Sequence, residues 1–143
     1  MQILFDVLLF VIPAILAFFV WRGVKSDWPQ EKRNPQRLLL FSAVALSCNI
    51  LLLYCYCAAD LAIMGAGPIS EASTAEYEFL QAVLWVSRIA ALISLATLIT
   101  AVFSQRGLAR KLCIWGSLAG LIWWPLVNMI SSDLAVTYLR THR

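Results

Sequence analysis

The chain has 143 residues, is 62% hydrophobic and has a mean hydropathy of +0.80. Soluble domains are about 45–50% apolar, so this composition excludes an ordinary soluble protein, and the grouping of apolar residues into four long runs predicts a multi-pass membrane protein. The net charge of +3 does not indicate nucleic-acid binding, because the basic residues lie mainly in short connectors beside the apolar runs, where they set membrane orientation.

The histidine and cysteine content argues against most cofactor and catalytic chemistry. The single histidine, His142, excludes a bis-histidine haem within one chain and disfavours a histidine-built metal site. All four cysteines, Cys48, Cys55, Cys57 and Cys113, fall inside apolar runs, where cysteine is usually a small buried hydrophobe. Cys55 and Cys57 would point about 200° apart on a helix and cannot form a disulfide there. We therefore expect no metal, no cofactor and no catalytic residue, and a protein that is not an enzyme.

Four apolar runs predict four membrane-spanning helices, at residues 3–21, 38–64, 79–103 and 112–132. Each run is close to or longer than the ~20 residues that cross a bilayer core as a helix. Short connectors place successive helices side by side in antiparallel order. The predicted fold is therefore all-α: an integral membrane, up-down four-helix transmembrane bundle that forms one domain over residues 1–143.

The connectors predict the orientation of the bundle in the membrane. Five basic residues lie in the 22–37 connector and three in the 104–111 connector, whereas the 65–78 connector has none. Basic connectors stay in the cytoplasm, so we expect these two loops inside and both termini outside, in a plasma membrane or a bacterial inner membrane. The first loop, from Arg22 to Arg37, is also expected to bind anionic lipid headgroups, at about 1 kcal/mol per basic residue near the surface.

One arginine lies deep inside an apolar run. Arg88 is nine residues from the start of the third run, roughly 13 Å along a helix. An arginine at the centre of a membrane helix costs at least ~2.5–3.5 kcal/mol, so it needs a partner or a wet path. Three aspartates, Asp6, Asp60 and Asp133, lie in the same half of the predicted membrane. We expect the arginine to pair with one of them inside the bundle.

Helical spacing selects Asp60 as the main partner. Asn49 and Tyr56 are seven residues apart and Asp60 follows Tyr56 by four, so the three share one face of the second helix. Gln81 and Arg88 share a face of the third helix by the same spacing. The predicted intramembrane polar cluster contains Asp60, Arg88, Asp6, Asp133, Tyr56, Asn49 and Gln81.

Two further motifs lie in the fourth run. Gly116 and Gly120 form a GxxxG, which permits close helix approach, and we expect both to pack against the small-residue side of the third helix. Trp123 and Trp124 form a bulky patch within the membrane span. Such a patch either fills the core or lines a cavity for an apolar or isoprenoid ligand.

These observations leave three functional hypotheses. The first is a non-enzymatic accessory, assembly or regulatory subunit that acts through helix contacts, with an Arg88–Asp60 pair that fixes the register of the bundle. The alternative is a small oligomeric ion- or proton-coupled transporter or channel that uses the same pair as a gate. A weaker alternative is lipid or quinone binding near Trp123 and Trp124. The expected partners are membrane lipids and a membrane-protein partner or further copies of this chain.

Overall fold

The computed structural model describes residues 2–26, 34–65, 72–104 and 106–141, with side chains described for residues 7–8, 10–26, 36–59, 78–104, 106–134 and 136. Four α-helices occupy these ranges: α1 Gln2–Ser26, α2 Asn34–Gly65, α3 Ala72–Phe103 and α4 Leu108–Thr141. No strand occurs within the described ranges. The prediction of an all-α fold with four helices is confirmed.

The helices extend beyond the predicted apolar runs. α3 begins at Ala72, ahead of the span predicted to start at residue 79, and α4 ends at Thr141, beyond the span predicted to end at residue 132. Hydropathy detects the part of a helix that suits hydrocarbon, whereas the i to i−4 hydrogen bonds continue into polar flanking sequence. The apolar runs therefore predicted the existence of the helices better than their ends.

Three helices contain segments that are long and apolar enough to cross a membrane. These segments are Gln36–Ala59, Glu78–Phe103 and Leu108–Leu134, with mean hydropathies of 2.2, 2.0 and 1.4. The shortest has 24 residues, which exceeds the ~20 residues that a bilayer core requires. The span predicted at residues 3–21 lies in α1, but it begins among side chains outside the described set, so it stays a prediction.

Helices that are consecutive in the chain run antiparallel. In the α1–α2 pair, Trp21 Nε1 donates to Ser47 Oγ at 2.9 Å, and the Tyr54 hydroxyl donates to the Phe10 carbonyl at 2.5 Å. The residue numbers thus rise along one helix as they fall along the other. α1 also contacts α4, and α2 contacts both α3 and α4, whereas α1 does not touch α3 within the described residues. α3 and α4 form the most extensive contact.

Small side chains fill the seams around α3. Ala90, Ser94, Thr97 and Ala101 are completely buried. The hydroxyls of Ser94 and Thr97 donate to carbonyls of their own helix, four residues earlier, at 2.9 and 2.7 Å. Because the serine and threonine hydroxyls are satisfied locally, they can line an apolar seam and let the backbones approach closely.

The apolar core has two parts, and α1 contributes to only one of them within the described residues. The first part joins all four helices through Val20, Val24, Leu39, Ala43, Leu46, Ala101, Ala109 and Cys113. The second part joins α3 and α4 through Val83, Ala90, Trp124 and Val127. The C-terminal half of α1 is therefore fixed in the core, whereas Val7 and Leu8, which are described near its N-terminal end, are exposed.

The two glycines of the GxxxG have different neighbours. A Cβ at Gly120 would lie 2.5 Å from Ser94 Oγ, so this glycine does permit the predicted close contact between α4 and α3. A Cβ at Gly116 would instead meet the side-chain ends of Leu16 and Leu46, each at 2.9 Å. The expectation that both glycines face α3 is wrong for Gly116, because it faces α1 and α2.

We expect Gly23→Ala to lower the free energy of unfolding by about 1–3 kcal/mol, the usual cost of overpacking. Its Cβ would lie 2.9 Å from Ala109 Cβ and 3.2 Å from the Ala109 backbone nitrogen. Neither atom can rotate away, so α1 and α4 would have to separate. Denaturant unfolding in a fixed detergent micelle measures the change.

The matched control is Gly116→Ala. The leucine ends that its Cβ would contact can change rotamer, and alanine gains roughly 1 kcal/mol of helix propensity over glycine. We expect this variant to be close to neutral. An equal loss of unfolding free energy in Gly23→Ala and Gly116→Ala would contradict this expectation. It would mean that a contact with rigid atoms of Ala109 costs no more than a contact with flexible leucine side chains.

Candidate functional site

Asn49, near the middle of α2, is the polar centre of the bundle. The side chain is buried, and its amide contacts two other helices. Its Nδ2 donates to the Ala90 carbonyl at 3.1 Å and also to Ser94 Oγ, both on α3. Its Oδ1 accepts from Trp124 Nε1 on α4 at 2.5 Å. One amide group thus joins α2, α3 and α4.

The chemistry of its partners determines the orientation of this amide. An indole N–H can only donate, so the atom facing Trp124 is the amide oxygen. A carbonyl can only accept, so the atom facing Ala90 is the amide nitrogen. Donors and acceptors are therefore matched, as a polar group in an apolar interior requires.

Two further polar contacts hold α3 to its neighbours. Asn128 Nδ2 on α4 donates to the Leu84 carbonyl at 3.1 Å and to Ser87 Oγ at 2.8 Å. Towards the other end of α3, the hydroxyls of Ser42 and Thr100 share a hydrogen bond of 2.8 Å. Together with the central amide, these bonds fix the position of α3 along α2 and α4.

Tyr56 belongs to the same region of the bundle. It is half-buried, stacks on Phe79 with ring centroids 6.4 Å apart, and meets Trp124 edge-on at 6.3 Å. Asn49 and Tyr56 therefore share the face of α2 that the spacing predicts. Tyr56 packs against the ring of Trp124, to which Asn49 is hydrogen-bonded.

Arg88 lies on the exposed side of α3, next in sequence to the buried Ser87. Its guanidinium carbon is 5.5 Å from the ring centroid of Trp85, which is a cation–π contact. Trp85 is itself 63% exposed. Arg88 is ten residues into the segment Glu78–Phe103, roughly 15 Å by helical rise, and so lies near its centre. An arginine thus sits on the outer surface of the bundle at the middle of an apolar segment.

The predicted acidic partners of Arg88 are only partly described. The side chains of Asp60 and Asp6 lie outside the described residues. Asp133 is exposed and Gln81 is half-buried, and each takes part in an interaction. The Arg88–Asp60 pair therefore stays a prediction. The expected enclosure of Arg88 between helices is not observed, because the small residues of α3 bring its neighbours too close to admit a guanidinium.

An apolar cavity of about 460 Å³ lies between α1, α2 and α4. This volume falls within the ~300–1,000 Å³ typical of small-molecule sites. The cavity adjoins the N-terminal half of α1. Its walls are formed by Leu8, Ile12, Pro13, Leu16, Leu46, Asn49, Ile50, Leu53, Gly116, Ala119, Gly120, Trp123 and Trp124.

The two adjacent tryptophans have different environments. Trp124 is fully buried and donates to Asn49. Trp123 lines the cavity, and its Nε1 is buried without an acceptor among the described residues. A buried donor left unsatisfied typically costs about 1–3 kcal/mol. The wall of the cavity therefore carries one polar group that would be stabilised by an acceptor.

The described residues contain no group of three histidine, cysteine or carboxylate side chains that could hold a metal ion. None of the four cysteines, all of which lie within the described residues, forms a disulfide; Cys48 and Cys55 are exposed, and Cys57 and Cys113 are buried.

No protein family matches this chain, and no curated protein and no solved structure is similar enough to it to indicate a relationship.

Sequence reasoning identified Asn49, Trp123 and Trp124 but missed the contacts that they make. Trp124 was not expected to bind Asn49, and Asn128 was not expected to bind Ser87. The seven-residue spacing of Ser87 and Ser94 is the one sequence signal that marks a polar seam on α3. Which residue of a neighbouring helix contacts these serines depends on how the two helices are aligned along their axes. The sequence of one helix does not determine that alignment.

We expect Asn49→Leu to lower the free energy of unfolding by about 1–3 kcal/mol, because it leaves the buried Trp124 N–H without an acceptor. Trp124→Phe removes that donor, so the double variant is expected to lose less than the sum of the two single losses. A double-mutant cycle in detergent, measured by denaturant unfolding, checks this coupling.

The control is Trp115→Phe. Trp115 is 70% exposed on the same helix, so its replacement is expected to leave stability unchanged. Additivity of Asn49→Leu and Trp124→Phe within about 0.3–0.5 kcal/mol would contradict the hydrogen bond as an energetic link.

Proposed function

We propose that this chain is a non-enzymatic multi-pass membrane protein, an accessory or assembly subunit that binds another membrane protein through the exposed side of α3. The observation that carries the proposal is the position of Arg88 on the outer surface of the bundle, near the centre of an apolar segment. Arginine at this depth is costly, and intramembrane charges mark sites of function. A carboxylate on a neighbouring helix would offset that cost.

The side chains around Arg88 support a helix as the partner. Exposed residues recur along α3 at alternating spacings of three and four, the pattern of a seam between two helices. We call this surface the α3 outer strip; it consists of Trp85, Arg88, Leu92, Leu95, Ile99 and Val102. Its apolar members suit either lipid or a helix, and the single cation favours a helix that carries an aspartate or glutamate.

Charge argues against a second copy of this chain on the α3 outer strip. A parallel two-fold pair would place Arg88 opposite its own counterpart at the same depth. Two guanidinium groups facing each other in an apolar medium repel strongly. The proposal therefore commits to a different membrane protein, with an acidic side chain at the depth of Arg88.

The orientation of the bundle is part of the proposal. The basic connectors support loops 22–37 and 104–111 in the cytoplasm and both termini outside, in a plasma membrane or a bacterial inner membrane. The first of these loops would then face anionic headgroups. Residues 27–33 of that loop lie outside the described residues.

A transporter or channel that uses Asp60 and Arg88 as a gated pair is the other function expected from the sequence. Such a transporter requires Arg88 to face a water-filled pathway through the protein. Its exposed position beside Trp85 favours contact with lipid or a partner instead. Solute or proton flux in liposomes that is lost in Asp60→Asn would favour transport over the proposed docking.

Photocrosslinking in native membranes tests the docking surface. A benzoylphenylalanine at position 92, where the leucine is 67% exposed on the α3 outer strip, is expected to give one discrete protein adduct. The adduct should be lost with Arg88→Leu and kept with Arg88→Lys, because only the second retains the charge. The adduct partner, identified by mass spectrometry, should carry an acidic residue within a membrane helix.

The matched control is the same photocrosslinker at position 122, where the isoleucine is 66% exposed on α4. We expect lipid adducts there and no protein adduct. Lipid adducts at both positions, or a protein adduct that persists in Arg88→Leu, would overturn the proposal.

Arg88→Leu is also expected to stabilise the isolated chain. It removes a side chain whose insertion costs ~2.5–3.5 kcal/mol and introduces one that partitions into lipid. Unfolding of the purified variant in bicelles should therefore need more denaturant than the wild type, although partner binding is lost. Clear destabilisation would favour the internal Arg88–Asp60 pair over the proposed docking.

A further inference from the structure

We propose that the cavity between α1, α2 and α4 binds a quinone-type molecule, whose carbonyl oxygen accepts a hydrogen bond from the Trp123 indole. Three observations carry the proposal: the volume of the cavity, the buried donor at its wall, and the depth of that donor in the span. The cavity does not involve the α3 outer strip, so the proposal stands or falls independently of partner docking.

The walls determine the general class of ligand. They are almost entirely apolar, and the one amide among them, Asn49, is already bonded to α3 and α4. A water molecule is a poor occupant, because a stable buried water needs 2–4 polar partners, roughly three on average. An apolar molecule with a single acceptor group matches what the walls offer.

Trp123 supplies the one donor that lacks an acceptor. Its Nε1 is buried and unpartnered among the described residues, whereas the indole of Trp124 next to it is fully bonded. Trp123 is a wall residue, and the proposal requires its ring to turn so that the N–H faces the bound carbonyl. A carbonyl bound there would complete the hydrogen bonding of this region.

The depth of Trp123 distinguishes a quinone from a membrane phospholipid. Trp123 is two residues from the centre of the segment Leu108–Leu134, about 3 Å along the helix. The ester carbonyls of a phospholipid lie near the edge of the hydrocarbon core, about 15 Å from its centre. They cannot reach this indole while the headgroup stays in the interface. A quinone ring dissolves in the hydrocarbon and carries its carbonyl to that depth.

The shape of the walls also suits a ring. Trp123 and Trp124 line the cavity on α4, and Pro13 lines it on α1. Aromatic rings bind flat ligands by offset or edge contacts. The aliphatic side chains of α1 and α2 would then contact the hydrocarbon tail of the quinone.

Binding is tested with a decyl-substituted benzoquinone and the full chain in phosphatidylcholine nanodiscs. Bound quinone quenches tryptophan fluorescence, and we expect a saturable component above the linear quenching from quinone dissolved in the lipid. Trp123→Phe keeps the ring and removes the donor, so the dissociation constant should rise about five- to tenfold, the effect of one lost hydrogen bond. Decylbenzene, which has no carbonyl, should compete at least about tenfold less well than the quinone.

Two variants serve as controls. Trp115→Phe removes one tryptophan outside the cavity and should leave the dissociation constant unchanged. Ala119→Leu places a larger side chain in the cavity from an exposed position on α4 and should abolish the saturable component. Circular dichroism of each variant confirms that the helices are retained.

Three results would overturn the proposal. The first is quenching that never saturates and is the same in all variants. The second is saturable binding that Trp123→Phe leaves unchanged, since the indole would then not be the recognition group. The third is a phospholipid retained in native mass spectra that Ala119→Leu removes and excess quinone does not displace.

Discussion

The hydrogen bonds of the Asn49 amide are the interaction on which the arrangement of the bundle depends. An amide in an apolar interior has no water to bind, so its donor and acceptor must find partners within the protein. Here the nitrogen bonds to α3 and the oxygen bonds to α4. Few other relative positions of the three helices would satisfy both atoms at once. The polar centre therefore selects one register among many that apolar packing alone would allow.

Close packing around that centre explains why Arg88 faces outwards. α3 meets α2 and α4 through alanine, serine and threonine, with Ala90 and Ser94 completely buried. Backbones that approach through such small residues leave no volume for a guanidinium. The long and bulky side chains of α3, including Trp85 and Arg88, consequently occupy its free side. The feature that makes the bundle compact thus also creates the surface to which we assign partner binding.

The cavity has a related origin on the other side of the bundle. The C-terminal half of α1 is held in the core, where Gly23 lies against Ala109. Its N-terminal half contains Pro13, which has no N–H to donate to the helix. The Tyr54 hydroxyl bonds the Phe10 carbonyl one turn earlier, so α1 stays attached to α2 even where it leaves space. The apolar volume lies beside this part of α1, against α2 and α4.

The sequence by itself determined the fold class and the number of helices, because apolar runs of sufficient length can satisfy their backbone groups in an apolar medium as helices. It also identified Asn49 and the tryptophan pair as residues of interest, because polar groups and tryptophan are unusual at such positions.

The sequence did not determine which faces of the helices meet. Arg88 and Ser87 are adjacent in the chain, yet one is exposed and the other binds Asn128. The different exposure of these two residues depends on how the helices are aligned against each other. The same alignment determines the separate neighbours of Gly116 and Gly120 and the cavity beside Trp123. Register follows from simultaneous packing of several helices, and only the tertiary structure decides it.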